Sequence, residues 1–285
     1  MGNWGNPDAA RSLPLCATML ALCLLLPALA HAGTASEQIT ALNAQREAHG
    51  IPAGIVERPD WSEGCRRHME YIAANGGTLT HEEQPDRPGY TVNGAMIGPR
   101  SVLSPEVEAF GAAGNAFETA PLHLMQVLAP ALTQMGVWGG CATTSLGYSR
   151  KPAKAELFSY PGDGVGGVRE SEIAAEAPFV PGDLVGLPMG TTTGPHVYVM
   201  SFGTGPGYLQ SATIDGPGGP LELRVVDNET PRLEGLMPPG GILIPVAPLA
   251  ASATYNAAVT FQPREGGQPL TRRWSFSTGG AAPSP

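Results

Sequence analysis

The sequence predicts an α+β protein in which helices are concentrated before residue 150 and strands after it. In the first part, apolar residues recur at helical spacing, as in the segment that holds Ile39 and Leu42. In the second part, apolar and polar residues alternate, and turns rich in glycine and proline separate the runs. We therefore expect a mixed domain followed by a small antiparallel sandwich.

Four helices are predicted in the first part from caps and apolar spacing. They cover residues 36–47, from 60 or 62 to 75, 104–111, and 119–136. The last contains Pro130, which lacks a backbone N–H, so we expect a kink or a shorter helix there.

Four strands are predicted in the second part from alternation of apolar and polar residues. They cover residues 196–202, 221–225, 255–261 and 270–276. The chain is thereby divided into a signal peptide at 1–32, a mixed domain at 36–149, a Gly/Pro-rich linker at 150–177, a β-sandwich at 178–278 and a disordered tail at 279–285.

The first 32 residues have the features of a secretory signal peptide. Arg11 precedes an apolar run from 13 to 29, and Ala30-His31-Ala32 has the form that signal peptidase accepts. A transmembrane anchor is the alternative, but the run is short and contains two prolines, which favours cleavage. We expect a secreted or extracytoplasmic protein, in the periplasm or at the cell surface, with no membrane span after cleavage.

Charge and cysteine content restrict the partners and the redox environment. The formal net charge is −9 and the basic residues form no stripe, so we expect no nucleic-acid partner. Signal cleavage leaves Cys65 and Cys141, which in an exported protein most simply form one disulfide. Closing a loop of about 75 residues would stabilise the fold by roughly 4 kcal/mol. Two unpaired buried thiols are the alternative.

Several short motifs follow one another in a defined order between residues 42 and 141. They lie at 42–46, 61–71, 80–83, 88–94, 120–123 and 130–141. With this order, the first part resembles the CAP superfamily (SCP domain) of cysteine-rich secretory, antigen-five and pathogenesis-related proteins, and is most similar to its divergent bacterial members. The resemblance implies an α-β-α sandwich for residues 36–149.

The same resemblance implies a cleft where two histidines and one or two acidic residues converge, and where several family members bind a divalent metal. By position, the histidines are His81 and His123. The family's Gly-Glu-Asn stretch corresponds to residues 93–96 here, which hold no carboxylate, so Glu83 is the expected replacement. Glu118 is the acidic residue at the family's second acidic position. The expected ligands of a metal such as zinc are His81 and His123, with Glu83 as third cleft residue.

The end of the second part resembles the last hairpin of bacterial immunoglobulin-like modules. Thr254-Tyr255 with Val259, and Trp274-Ser275-Phe276-Ser277-Thr278, stand at the corresponding positions. The resemblance implies an immunoglobulin-like sandwich in which the aromatic side chains point into the core.

Three functional hypotheses follow from these features. The first is an exported bacterial CAP-domain protein whose cleft binds a small ligand, a metal or a cell-envelope component. This hypothesis favours a binding protein over an enzyme. The sandwich would then be a spacer or an adhesive module. The second is a metal-assisted hydrolase of peptide or polysaccharide in the same cleft, and the third is a structural envelope protein without a ligand. We interpret His68 as a structural helix residue and His196 as an exposed loop residue.

Overall fold

The computed structural model describes residues 33–111, 114–233 and 235–279. The predicted signal peptide at 1–32 and the predicted tail beyond Gly279 lie outside these residues. The helices are α1 (Ala35–Ala48), α2 (Pro59–Ala74), α3 (Val92–Ile97), α4 (Pro121–Leu128) and α5 (Pro181–Leu184), with 3₁₀ turns at Gly98–Arg100 and Ser145–Gly147.

Short strands accompany the helices in the first part of the chain, and longer ones make up the second part. They are β1 (Val56–Glu57), β2 (Ser101–Leu103), β3 (Phe110–Gly111), β4 (Gly114–Asn115), β5 (Gln134–Met135), β6 (Val137–Trp138), β7 (Cys141–Thr143), β8 (Glu156–Tyr160), β9 (Val165–Val168), β10 (Val197–Phe202), β11 (Gly207–Gly216), β12 (Gly219–Pro220), β13 (Leu223–Asp227), β14 (Gly240–Pro245), β15 (Thr254–Pro263) and β16 (Leu270–Thr278). The α+β class is confirmed.

Two sheets dominate the second part. One has the strand order β13-β14-β10-β8, and the other has the order β12-β11-β15-β16-β9. All neighbours are antiparallel except β16 and β9, which are parallel, with Val165 opposite Phe276. The first part contributes the small sheet β2-β7-β6, the parallel pair β1-β5 and the pair β3-β4.

The sheet that contains β10 and β14 lies between two apolar cores. Val197 and Val199 of β10 pack into a core shared with the second sheet. Tyr198 and Met200, on the opposite face, pack into a core shared with the helices of the first part. A strand that is covered on both faces is buried at every position, as β10 is.

The segment 150–177 is not the linker that its composition predicts. It contains β8, which pairs with β10, and β9, which pairs with β16. The composition was misleading because Gly166 and Gly167 lie inside β9, a strand at the sheet edge with one neighbour. The sandwich therefore begins at Glu156 and not at residue 178.

The helix predictions are confirmed in part. The first helix is capped by Thr34, which lies two residues before the predicted cap, Ser36. The Thr34 side chain forms a capping box with Glu37. The fourth helix ends at Leu128, so the shorter alternative before Pro130 is correct. The helix predicted at 104–111 is wrong, because the backbone N–H groups of residues 109 and 110 donate to the side chain of Gln38 instead of to a helical turn.

Arg46 is fully buried and holds the first part together. Its guanidinium donates to the backbone carbonyls of Pro52, Val127 and Ala129, at 2.6–3.1 Å. Burial lowers the pKa of Arg46 to about 9. Burying this charge costs desolvation free energy. The hydrogen bonds that the guanidinium donates to the three carbonyl oxygens offset this cost, because hydrogen bonds from a charged donor are strong.

Cys65 and Cys141 form the predicted disulfide, with Cα atoms 5.5 Å apart. The bond joins α2 to β7 and lies in a small buried cluster with Trp61 and Ile97. Among the described residues, no helix has the length and apolar character needed to cross a membrane.

Candidate functional site

His81 and His123 lie next to each other, as the resemblance implies. Their ring centroids are 6.4 Å apart and their planes differ by 17°. His81 lies in the loop between α2 and α3, and His123 in the first turn of α4, where Pro121 starts the helix. The ring of Phe117 stacks on the ring of His123, with centroids 6.0 Å apart, and covers one face of this histidine.

Hydrogen bonds assign the protons of the two rings. Nδ1 of His81 lies 3.1 Å from the carbonyl oxygen of Gly98, and Nδ1 of His123 bonds a carboxylate oxygen of Glu176. A carbonyl or carboxylate oxygen only accepts, so in the neutral rings Nδ1 carries the hydrogen and Nε2 keeps a free lone pair. Burial lowers the pKa of His81, which favours its neutral form.

Glu176 fixes the position of His123. Besides the ring, its carboxylate accepts from the backbone N–H groups of Leu122 and His123, each at 2.8 Å. These N–H groups belong to the first turn of α4, where the helix has no internal acceptors for them and where a negative charge is favourable. The carboxylate therefore caps the helix and orients the imidazole at once.

Sequence reasoning missed Glu176. It lies 53 residues from His123 in the chain, inside the segment that composition marks as a linker. The run Ala174-Ala175-Glu176-Ala177-Pro178 carries no local signal for this role, because glutamate is common in solvated linkers.

Glu83 does not join the two histidines as expected. Its side chain is fully buried and its carboxylate bonds Nδ1 of His68 at 3.0 Å and the backbone N–H of Thr91 at 3.0 Å. Gly94 leaves room for this carboxylate, because a Cβ at that position would collide with it. The prediction of a His81–Glu83–His123 ligand set is wrong, since Glu83 is already engaged.

His68 is a structural residue of α2, as interpreted from the sequence, and it supports the loop that carries His81. Its Nε2 lies 2.7 Å from the carbonyl oxygen of Thr80. Gly98 packs against the His68 ring and the carbonyl of His81, where a Cβ would not fit. The hydrogen bonds of His68 to Glu83 and to the carbonyl of Thr80 thus tie the loop that carries His81 to α2.

The family resemblance implies a divalent metal in this cleft. A catalytic zinc ion takes three protein ligands and one open position. Within residues 33–111, 114–233 and 235–279, no three His, Cys, Asp or Glu side chains are grouped so that they could hold one ion. The two histidines therefore offer two neutral imidazoles as donors, and this set does not fit a three-ligand catalytic centre.

His196 is not the exposed loop residue that its position after a Gly-Pro turn indicates. It is 4% exposed, and burial lowers its pKa to about 4. Its Nδ1 lies 3.5 Å from a carboxyl oxygen of Glu172 without forming a hydrogen bond.

No protein-family model matches this chain, and a search of curated proteins finds no similar sequence.

Proposed function

We propose that this chain is an exported CAP-type binding protein whose facing histidines hold a divalent metal ion such as zinc, together with a small ligand or a cell-envelope component. The assignment to the CAP superfamily and the export rest on the sequence motifs and on the N-terminal segment. The metal rests on one observation, the hydrogen bonds at Nδ1 of His81 and His123.

In metal sites, a ligating histidine almost always donates its second ring N–H to a carbonyl or carboxylate oxygen. Both partners of that kind are present, the carbonyl of Gly98 and the carboxylate of Glu176. They leave Nε2 of each ring as a neutral ligand atom of the type that zinc, copper and nickel accept. Two protein ligands leave further coordination positions open to a bound molecule.

The second part of the chain supports this site directly. Glu176 comes from the segment between β9 and α5, so the sandwich half supplies the carboxylate that orients His123. We therefore assign the sandwich a supporting role in the site in place of the spacer or adhesive role that its position suggests.

A binding role is better supported than hydrolysis. A metal-assisted hydrolase needs a general base that can reach the substrate's water. Glu83, the expected third cleft residue, is fully buried and hydrogen-bonded to His68 and Thr91, so its carboxylate is not available as such a base.

Zinc titration by calorimetry tests the proposal. We expect one zinc ion per mature chain, and no binding by the double variant His81→Ala with His123→Ala. Glu176→Gln should weaken zinc binding by roughly 10–100-fold, because it removes the charge that orients and polarises His123. His49→Gln, which keeps both cleft histidines, serves as the control and should bind as the wild type does.

Two outcomes would contradict the proposal. If the wild type binds no zinc, the structural hypothesis replaces it. If the double variant binds zinc as well as the wild type does, the metal lies elsewhere on the chain.

A further inference from the structure

A second candidate site lies apart from the paired histidines. A cavity of about 660 Å³, open to solvent on one side, is bordered by α1, β3, β4 and the strands β8, β9 and β10. This volume is within the range of small-molecule sites. Neither His81 nor His123 is among its lining residues.

The space arises from small side chains on one face of α1. Ala41, Ala44 and Ala48 line the cavity, at a spacing of three and four residues that places them on one side of the helix. Opposite them, Gly166 and Gly167 of β9 contribute no side chains to fill it. Phe110 adds an aromatic surface. Gln45 and His49 of α1 also line the cavity, so this side is apolar only in part.

The opposite wall has buried polar groups without partners. Oε1 of Glu172, Nδ1 of His196 and the hydroxyl of Tyr198 form no hydrogen bond with any described residue. All three residues line the cavity and are more than nine-tenths buried, at 8%, 4% and 1% exposure. Burying such atoms without partners destabilises the fold. Oε1 of Glu172 and Nδ1 of His196 lie 3.5 Å from each other without a hydrogen bond, so these two atoms and the Tyr198 hydroxyl concentrate unpartnered polar groups at one wall.

The charges around this wall are mostly negative. Burial is the main cause of a raised pKa at the Tyr198 hydroxyl. The nearby carboxyls of Glu172, Glu176 and Glu118 raise this pKa further. Arg169 is the cationic side chain among the described lining residues, and it is bonded to Glu118 at 3.1 Å with half of its side chain exposed.

Two of these three carboxyls already have their partners. Glu118 accepts from the side chains of Gln45 and Tyr160, both at 2.9 Å, in addition to Arg169. Glu176 accepts from the first turn of α4 and from His123. Glu172 differs, because only its Oε2 accepts, from the backbone N–H of His196 at 3.1 Å. No cation among the described residues forms an ion pair with it.

We propose that this cavity binds an organic ammonium ion, with the ammonium group against Glu172 and Tyr198 and an apolar body against the alanines of α1 and Phe110. An ammonium group donates hydrogen bonds to the unpartnered oxygens and balances the carboxylate charge.

The other ligand charges fit less well. An anion would meet two or three carboxyls and would have to compete with Glu118 for Arg169. A neutral alcohol would satisfy hydrogen bonds but would leave Glu172 buried without a compensating charge, which is costly in a site of low polarity. The ammonium ion satisfies both requirements.

Three probes with one body and different head groups test the proposal by calorimetry at pH 8: 4-phenylbutylamine, 4-phenylbutan-1-ol and 4-phenylbutyrate. A primary amine is protonated at this pH, as the lysine side chain is. We expect the amine to bind about tenfold more tightly than the alcohol, a difference of about 1.4 kcal/mol, and the carboxylate to bind most weakly.

Two variants locate the site. Glu172→Gln removes the charge and should weaken amine binding by about tenfold, with little effect on the alcohol. Ala44→Phe fills the cavity from a half-buried position of α1 and should weaken all probes that bind. Glu222→Gln makes the same charge change on an exposed side chain and should bind as the wild type does.

Far-UV circular dichroism and the melting temperature establish that each variant is folded, and Ala44→Phe tests the location even if Glu172→Gln does not fold. The proposal is overturned if no probe binds at millimolar concentration or if the amine shows no advantage over the alcohol and the carboxylate. It is also overturned if amine binding is unchanged in Ala44→Phe or in a folded Glu172→Gln. Because none of these probes needs zinc, the result is independent of the histidine site.

Discussion

At the scale of single residues, Glu172 has a consequence for stability. Burial raises its pKa to about 7, and Glu118 and Glu176 add to the effect, while the N–H of His196 and the charge of Arg169 oppose it. In the unfolded chain, a glutamate titrates near 4.3. The folded pKa is the higher one, so the stability that this group contributes is complete below about pH 4.3 and is lost as the pH rises to about 7.

We therefore expect Glu172→Gln, which cannot titrate, to gain stability relative to the wild type as the pH rises. Between pH 4 and pH 8 the difference in unfolding free energy should change by about 3 kcal/mol. Urea denaturation at both pH values measures it. Glu222→Gln, on the surface, should show a difference independent of pH, and a Glu172→Gln curve parallel to the wild type would contradict the expectation.

The residues of the histidine site were predictable to different degrees. His81 and His123 follow from the order of the motifs, and the structure brings their rings to 6.4 Å. Glu83 was misassigned because a spacing of two residues in an irregular loop does not fix which way a side chain points. Glu176 was not predictable from spacing, since the contact that matters joins α4 to a segment 53 residues away.

At the scale of elements, the Cys65–Cys141 disulfide holds α2 against β7. The double variant Cys65→Ser with Cys141→Ser should lose roughly 4 kcal/mol of unfolding free energy, because the unfolded chain gains the freedom of a long loop. Urea denaturation measures the loss.

A matched control uses the wild type under reducing conditions, which should approach the stability of the double variant. If the urea midpoint is unchanged in both the double variant and the reduced wild type, the disulfide does not stabilise the fold, and the prediction is wrong.

The predicted strands include β15 and β16, and also β10, although the structure buries β10 at every position, and several other strands were missed. β15 and β16 alternate between core and surface, so their pattern identifies them. β14 is buried at every position and has no alternation to detect. β9 consists of Val-Gly-Gly-Val, and glycine has low strand preference. Its pairing with β16 is a tertiary contact that no local pattern encodes.

At the scale of the whole molecule, the two halves share one sheet. Leu124 and Met125 of α4 pack in the same core cluster as Tyr198 of β10 and Ile242 of β14. The described residues form one compact unit.

A chain of residues 33–149 should therefore fail to fold by itself, because the apolar face of α4 would lose its cover. We expect no cooperative urea transition and strong binding of a hydrophobic dye, whereas residues 33–279 should unfold in a single transition. A cooperative transition of the fragment with native-like circular dichroism would show that the first half is an independent domain.

The parallel pairing of β9 with β16 also sets an order of assembly. β9 forms one wall of the cavity, and its neighbour in the sheet is the last strand of the described chain. A chain is synthesised from its N-terminus, and pairings between distant segments form late. The β9 wall of the cavity therefore forms only after residues 270–278 have been synthesised and have paired with β9. Ligand binding in the cavity is then a property that the chain acquires last, and a protein truncated before Leu270 lacks it even where the helices and the paired histidines are in place.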